Sequence, residues 1–130
     1  MNSTASHLET ICRSVNRERL LDTARQLVAI PSKTGHAGDV SNHLDQLLRR
    51  DGFRIQREAG GHSDAPAVLA RCESGSAGKC LQFNGHLDVV HLPYVPPSIE
   101  GNLLKVSGSC DMKGGIATAI EAMRAVRTSL

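Results

Sequence analysis

Two short segments constrain most strongly what this chain can fold into. Residues 85–88 read GHLD and follow an apolar, strand-like run, whereas residues 111–115 read DMKGG and open a helical pattern. A fold that brings these two junctions together gathers His86, Asp88 and Asp111 at one place. Metallohydrolases collect their ligands in this way, from the ends of different elements.

The composition excludes several classes of protein. A chain of 130 residues, 40% of them hydrophobic, is long and apolar enough to form one domain with a core. With a net charge of +2, two phenylalanines and one tyrosine, it has neither a basic stripe nor a stacking surface for nucleic acid. No apolar run approaches the roughly eighteen residues of a membrane span. The N-terminal residues also lack the apolar core of a secretory signal, so we expect a cytoplasmic protein.

The four cysteines, Cys12, Cys72, Cys80 and Cys110, form no CxxC pair, which argues against a zinc ribbon or a thioredoxin-like motif. We expect reduced and mostly buried thiols. One alternative stays open: Cys72 and Cys80 flank a Gly/Ser-rich turn and could face each other across a hairpin. A redox protein is the least favoured class, because the chain has no redox motif.

The hydrophobic pattern predicts two helices in the first part of the chain. The first runs from about residue 16 to residue 30, and Pro31 ends it. The second runs from about residue 39 to residue 51, with Asp39 as N-cap, Gly52 as the stop and Phe53 folded back onto the last turn. The apolar face of the first helix consists of Leu20, Leu21, Ala24, Leu27 and Val28.

The pattern then changes to strands. Residues 53–57 predict an edge strand, and residues 65–72 and 79–84 predict two strands joined as a hairpin. A further short strand is predicted over residues 103–106, after a turn at residues 100–102. A last helix follows Asp111, with Ile116, Ala119, Ile120, Met123 and Val126 on one face. The order of two helices, a strand group and a helix predicts an α/β fold with a mixed layer.

His86 and Asp88 form the first candidate pair. In an extended segment, residues two apart point to the same side. The Asp88 carboxylate can then accept one imidazole N–H of His86 and leave the other ring nitrogen for a metal. Taken alone, such a pair is more often a surface hydrogen bond than part of a metal site.

Asp111 strengthens the metal hypothesis. Its position before a helix is also explained by an N-cap role. A cap does not explain Gly114 and Gly115 in the first turn, where each glycine costs about 1 kcal/mol relative to alanine. Glycine at this place indicates that another backbone, a metal or a substrate approaches closely.

The strings GHLDVV (residues 85–90) and GSCDMKGG (residues 108–115) resemble the two N-terminal signature motifs of a family of di-zinc enzymes. This family includes acetylornithine deacetylase, succinyl-diaminopimelate desuccinylase, aminoacylase and glutamate carboxypeptidase. LVAIPS (residues 27–32) and DGF (residues 51–53) resemble the ends of the family's first two helices, so the resemblance extends from about residue 18 onward. It implies the N-terminal portion of a mixed-sheet zinc-peptidase catalytic domain.

The resemblance also implies roles for particular residues. His86 would be a ligand of one zinc, Asp111 would bridge two zincs, and Asp88 would be the catalytic-site aspartate that orients His86. The peptide bond between Asp111 and Met112 would be cis. The implied reaction is metal-dependent hydrolysis of the amide bond in small N-acyl amino acids or peptides, with cobalt as an alternative metal. The acyl group and the amino acid are not identified.

In the resembled family a Glu-Glu pair, the other ligands and an inserted dimerisation domain lie beyond the position that matches Leu130. We therefore expect residues 1–130 to be an inactive N-terminal fragment, which would form the family homodimer only with that domain. The alternative is a non-enzymatic truncated remnant that at most binds metal weakly.

Glu121 cannot replace the missing base, since it lies on the last helix roughly 15 Å from Asp111. The remaining histidines match no ligand and are expected at the surface or in loops: His7, His36, His43, His62 and His91.

Overall fold

The computed structural model describes residues 3–58, 60–75, 77–90 and 93–129. Within these ranges the helices are α1 (Ser3–Ser14), α2 (Arg17–Ala29), α3 (Gly38–Arg50) and α4 (Gly114–Thr128). The strands are β1 (Arg54–Glu58), β2 (Ala67–Arg71), β3 (Ser98–Glu100) and β4 (Leu103–Lys105). The fold is therefore a mixture of helices and small antiparallel sheets, consistent with part of an α/β domain. His91 lies outside the described residues.

The two helices predicted from the hydrophobic pattern are α2 and α3. The side chain of Asn16 caps α2 by accepting a hydrogen bond from the Arg19 amide at 2.9 Å, and the helix gives way to extended backbone at Ile30. The predicted N-cap of α3 is wrong by two positions: Ala37 occupies the cap without a side-chain bond, and Asp39 lies in the first turn. A carboxylate in the first turn still stabilises the helix through its dipole.

The predicted end of α3 is confirmed. Gly52 has a φ of +79°, and its amide donates to the Arg49 carbonyl at 2.9 Å. The Phe53 amide donates to the Leu48 carbonyl at 3.0 Å, which is the six-residue closure of a Schellman motif. Phe53 is buried, so the turn directs an aromatic ring from the helix end into the core.

The predicted hairpin between residues 65–72 and 79–84 is wrong. β2 pairs instead with β1, in antiparallel register with Ile55 opposite Ala70. This pairing packs Ile55, Val68 and Ala70 against the helical core. Residues 79–84 form no strand, and Leu81 and Phe83 are exposed.

The second hairpin confirms the strand predicted over residues 103–106 and the turn before it. β3 pairs with β4 in antiparallel register, and residues 101–102 form the turn. Both sheets in the described part of the chain are antiparallel, and the mixed sheet that the resemblance implies is not seen among these residues. Among the residues that the structure describes, the one parallel pairing is an isolated bridge between Lys33 and Val89.

The core lies where α2, α3 and α4 meet the β1–β2 hairpin. Its buried members are Leu27, Ala37, Val40, Leu44, Leu47, Leu48, Phe53 and Ile120. The buried face of α4 is rotated relative to the predicted stripe. It includes the charged residues Glu121 and Arg124, whereas Val126 is exposed.

Two further expectations need correction. No helix is predicted from the sequence at α1, which packs against α4 but buries little, and Leu8 remains exposed. The cysteines are not mostly buried: Cys12, Cys80 and Cys110 are exposed, Cys72 is half-buried, and all four thiols are free. Among the described residues, no helix is both long enough and apolar enough to cross a membrane.

Candidate metal centre

The imidazole of His86 lies between two carboxylates. Its Nδ1 atom is 3.1 Å from Oδ1 of Asp88 and 3.1 Å from the main-chain carbonyl oxygen of the same residue. Its Nε2 atom is 3.0 Å from Oδ1 of Asp111, a residue 25 positions further along the chain. The fold therefore brings together the three residues that the sequence singled out.

The segment after α2 holds the His86–Asp88 side of this cluster. The Val89 amide donates to the Ser32 carbonyl at 2.6 Å, and the Ser32 hydroxyl donates to the Leu87 carbonyl at 2.7 Å. Thr34 adds a side-chain contact, since its hydroxyl donates to Oδ2 of Asp88 at 2.7 Å. Two neighbouring backbones thus fix the position of the carboxylate beside the imidazole.

Asp111 lies in the irregular turn Ser109–Lys113, directly before α4. Its φ and ψ angles of −124° and 97° are not helical, and Lys113 occupies the cap of α4, so Asp111 is not the N-cap of that helix. The peptide bond between Asp111 and Met112 is cis, as the resemblance implies. The turn directs the carboxylate outward to the imidazole.

Of the two glycines after Asp111, the structure requires the first, Gly114, to be a glycine. A Cβ atom on Gly114 would lie 2.5 Å from the Ser109 carbonyl oxygen, which accepts the Gly114 amide hydrogen. The expected close approach of a backbone is therefore real at this position. At Gly115 the nearest atom to such a Cβ is Cε of Met112 at 3.8 Å, an ordinary contact, and nothing in the structure requires a glycine there.

The electrostatics of the cluster favour a positive charge on His86. The hydrogen bond with Asp111 raises the pKa of His86 above 6.5; burial opposes this effect, and Asp88 adds to it. The hydrogen bond from Thr34 is the largest influence that lowers the pKa of Asp88 below 3.8. A metal cation bound to Nε2 of His86 would replace the proton that the charged imidazole carries there, between His86 and Asp111.

The donor set fits part of a zinc site. One imidazole nitrogen and one carboxylate oxygen face each other, and the second ring nitrogen is held by a carboxylate, as is usual for zinc-binding histidines. The side chains of His86 and Asp111 are 46% and 79% exposed, so a cation can reach both. A catalytic zinc normally takes three protein ligands, and the described residues contain no group of three that could hold a metal ion.

Lys113 is a buried residue of this region that the sequence did not reveal. Its side chain is fully buried, and Nζ donates to the Ile30 carbonyl at 2.8 Å, which ties the turn of Asp111 to the end of α2. Burial lowers the pKa of Lys113 to about 8, an effect that the charge of Asp88 partly opposes. A lysine in a first helical turn is ordinary in sequence, so no local pattern announces its burial. Likewise, no local pattern in the sequence announces the contacts of Ser32 and Thr34.

Several curated proteins named succinyl-diaminopimelate desuccinylase are similar to this chain. The protein of Sphingopyxis alaskensis is 38% identical over 114 residues, which are 81% of this chain and 30% of the relative. That of Erythrobacter litoralis is 34% identical over 117 residues, which are 79% of this chain and 31% of the relative. That of Methylobacterium radiotolerans is 34% identical over 113 residues, which are 78% of this chain and 28% of the relative. The chain thus spans about 30% of the length of the curated relatives it matches.

No protein-family model matches the chain, and no solved structure matches it.

Proposed function

We propose, from the confirmed homology of this chain to the N-terminal part of succinyl-diaminopimelate desuccinylases, that it supplies the first metal ligands of a zinc-dependent amide hydrolase. The observation that carries this proposal is the 3.0 Å approach of His86 Nε2 to Asp111 Oδ1 across 25 positions of sequence. In this proposal residues 1–130 are the N-terminal part of the zinc-binding catalytic domain.

The proposed roles follow from the contacts. His86 would hold a metal ion, zinc or cobalt, through Nε2, and Asp111 would hold it through its carboxylate, which could be shared with a second ion. When bound, such ions polarise the amide carbonyl and lower the pKa of water. Asp88 accepts a hydrogen bond from Nδ1–H of His86, so that Nε2 keeps its lone pair for the metal.

The proposed substrate is a small N-acyl amino acid. The relatives carry succinyl-diaminopimelate in their names, so we propose an N-succinyl amino acid in particular. Hydrolysis adds one water across the amide bond and releases succinate and a free amine. We also propose a cytoplasmic location, because free and exposed thiols such as Cys80 and Cys110 persist in a reducing compartment.

Calorimetric titration of the 130-residue chain with zinc tests the proposed ligands. We expect weak binding, since two ligands are fewer than a catalytic zinc normally takes. His86→Ala and Asp111→Asn should each weaken it by about tenfold or more. His62→Ala is the matched control, because this histidine is exposed and has no part in the cluster. Equal affinities for the wild type and His86→Ala would refute the assignment.

A second measurement separates a hydrolase from a remnant that only binds metal. Release of amine from an N-succinyl amino acid by this chain, abolished by a chelator and by Asp111→Asn, would support hydrolysis. Zinc binding without any release would favour the metal-binding remnant as the function of residues 1–130.

A further inference from the structure

We infer that Thr34 is a positioning residue, whose hydroxyl fixes the Asp88 carboxylate so that it accepts a hydrogen bond from Nδ1–H of His86 while Nε2 faces Asp111. The effect of Thr34 on metal binding rests on the proposed function. Its effect on the imidazole proton does not, because that proton is present without any metal.

The carboxylate of Asp88 is held at both oxygens. Oδ2 accepts the Thr34 hydroxyl at 2.7 Å, and Oδ1 lies 3.1 Å from Nδ1 of His86. The terminal torsion of an aspartate is soft, with a broad range of accessible angles. A carboxylate held at one oxygen can rotate away from the imidazole, whereas one held at both cannot.

Thr34 is itself placed by the backbone around it. The His36 amide donates to the Lys33 carbonyl at 2.8 Å and closes a turn that contains Thr34. Lys33 forms the parallel bridge to Val89, next to Asp88. The hydroxyl is therefore carried by a turn that is already attached to the segment it orients.

Two competing acceptors set the size of the effect. The main-chain carbonyl of Asp88 also lies 3.1 Å from His86 Nδ1, so it can take part of the hydrogen bond when the carboxylate turns away. In the metal-free protein the Asp111 carboxylate, 3.0 Å from Nε2, accepts a proton on that nitrogen and so favours the other tautomer. Thr34 is also exposed, which weakens its hydrogen bond relative to a buried one. The loss of the hydroxyl should therefore shift the balance between the two tautomers of His86 rather than abolish one.

Three variants test the inference. Thr34→Val removes the hydroxyl with little change of shape, and Thr34→Ser keeps it. Thr10→Val is the matched control, since Thr10 is also exposed and its hydroxyl donates to a backbone carbonyl, that of Ser6 in α1. Circular dichroism first establishes that all variants are folded. Nitrogen-15 NMR of the metal-free proteins, at a pH where His86 is neutral, then reports the proton on Nδ1 or Nε2.

We expect Thr34→Val to move the His86 proton measurably from Nδ1 toward Nε2, while Thr34→Ser and Thr10→Val match the wild type. Zinc titration should show about threefold to tenfold weaker binding in Thr34→Val only, at or below the low end of typical outer-shell effects. An unchanged tautomer balance in Thr34→Val would overturn the inference. If zinc binding proved independent of His86, the proposed function would fail, and the metal-free tautomer balance would still decide the role of Thr34.

Discussion

Two clusters of charged residues in this molecule use the same side-chain chemistry in opposite ways. Glu121, on α4, is only 1% exposed, and it accepts hydrogen bonds from Arg19 at 2.6 and 2.8 Å and from the Asn16 amide at 2.7 Å. Asp111, in the turn before the same helix, is 79% exposed, and among the described residues its side chain is hydrogen-bonded to His86 alone. The first carboxylate has its oxygens occupied by the protein, and the second presents them to solvent.

The buried cluster joins three helices. Arg124 bonds Asp51, at the end of α3, at 2.6 and 2.7 Å, and it bonds the Thr23 hydroxyl of α2 at 2.8 Å. Within the described residues, no buried side-chain nitrogen or oxygen lacks a hydrogen-bond partner. A fully paired cluster of this kind fixes how helices pack, whereas the open pair at His86 and Asp111 can still take a cation. The comparison also explains why Glu121 cannot act as a base.

Apolar side chains are also buried in the helical region and exposed near the candidate site. This difference gives the largest expected effect on the free energy of unfolding. Leu27 is 0% exposed in the helical core, whereas Leu81, in the irregular segment before His86, is 79% exposed. Leu27→Ala should lower the free energy of unfolding by about 3–4 kcal/mol through lost burial and a cavity. Leu81→Ala should change it by less than about 0.5 kcal/mol. Urea denaturation measures both, and similar losses would contradict the division into two regions.

The two carboxylates should differ almost as much. Glu121→Gln removes the buried carboxylate that pairs with Arg19 and Arg124 and should lower the free energy of unfolding by about 2–4 kcal/mol. Asp111→Asn, at an exposed position, should cost less than about 0.5 kcal/mol. The same urea experiment applies. Equal destabilisation by the two variants would show that the Asp111 carboxylate is a structural group.

Zinc affinity should reverse that order. Asp111→Asn should weaken zinc binding about tenfold, an effect of about 1.4 kcal/mol, whereas a variant of the buried cluster should leave it unchanged. Arg19→Lys is the suitable comparison, because it keeps a positive charge beside Glu121 and should preserve the fold. A loss of zinc affinity in Arg19→Lys, with the fold intact, would mean that the two clusters are coupled.

The smallest expected effect is a gradual loss of stability at low pH, which arises from Glu121 in the buried cluster. Burial alone would raise the pKa of Glu121, but Arg19, the Asn16 amide and Arg124 outweigh it and lower the pKa below 4.5. A lowered carboxyl pKa contributes stability above about 4.5, and this contribution is lost as the pH falls through the lower, folded-state value. Wild-type stability should therefore decline more steeply below pH 4.5 than that of Glu121→Gln. Parallel declines in pH-dependent urea titrations would contradict this assignment.

Much of the helical part of the fold could be predicted because its signals are local. Asn16 and Pro31 mark the ends of α2, and Gly52 with Phe53 closes α3, since a cap or a positive φ depends on residues within one turn. The motifs around His86 and Asp111 indicated the chemistry and the homologous family in the same local way. Their proximity was implied only by the resemblance, and their roles as metal ligands stay a prediction.

The sequence by itself determined α2, α3, the turn at Gly52 that ends α3, β1, and the kind of residues at the candidate site. Only the tertiary structure decided that β2 pairs with β1, that Lys113 is buried against Ile30, and that Thr34 reaches Asp88. These contacts join segments far apart in the chain or depend on which face of an element meets the core. Hydrophobic periodicity specifies that a face will be buried, but the partner that buries it is selected by packing among all the elements at once.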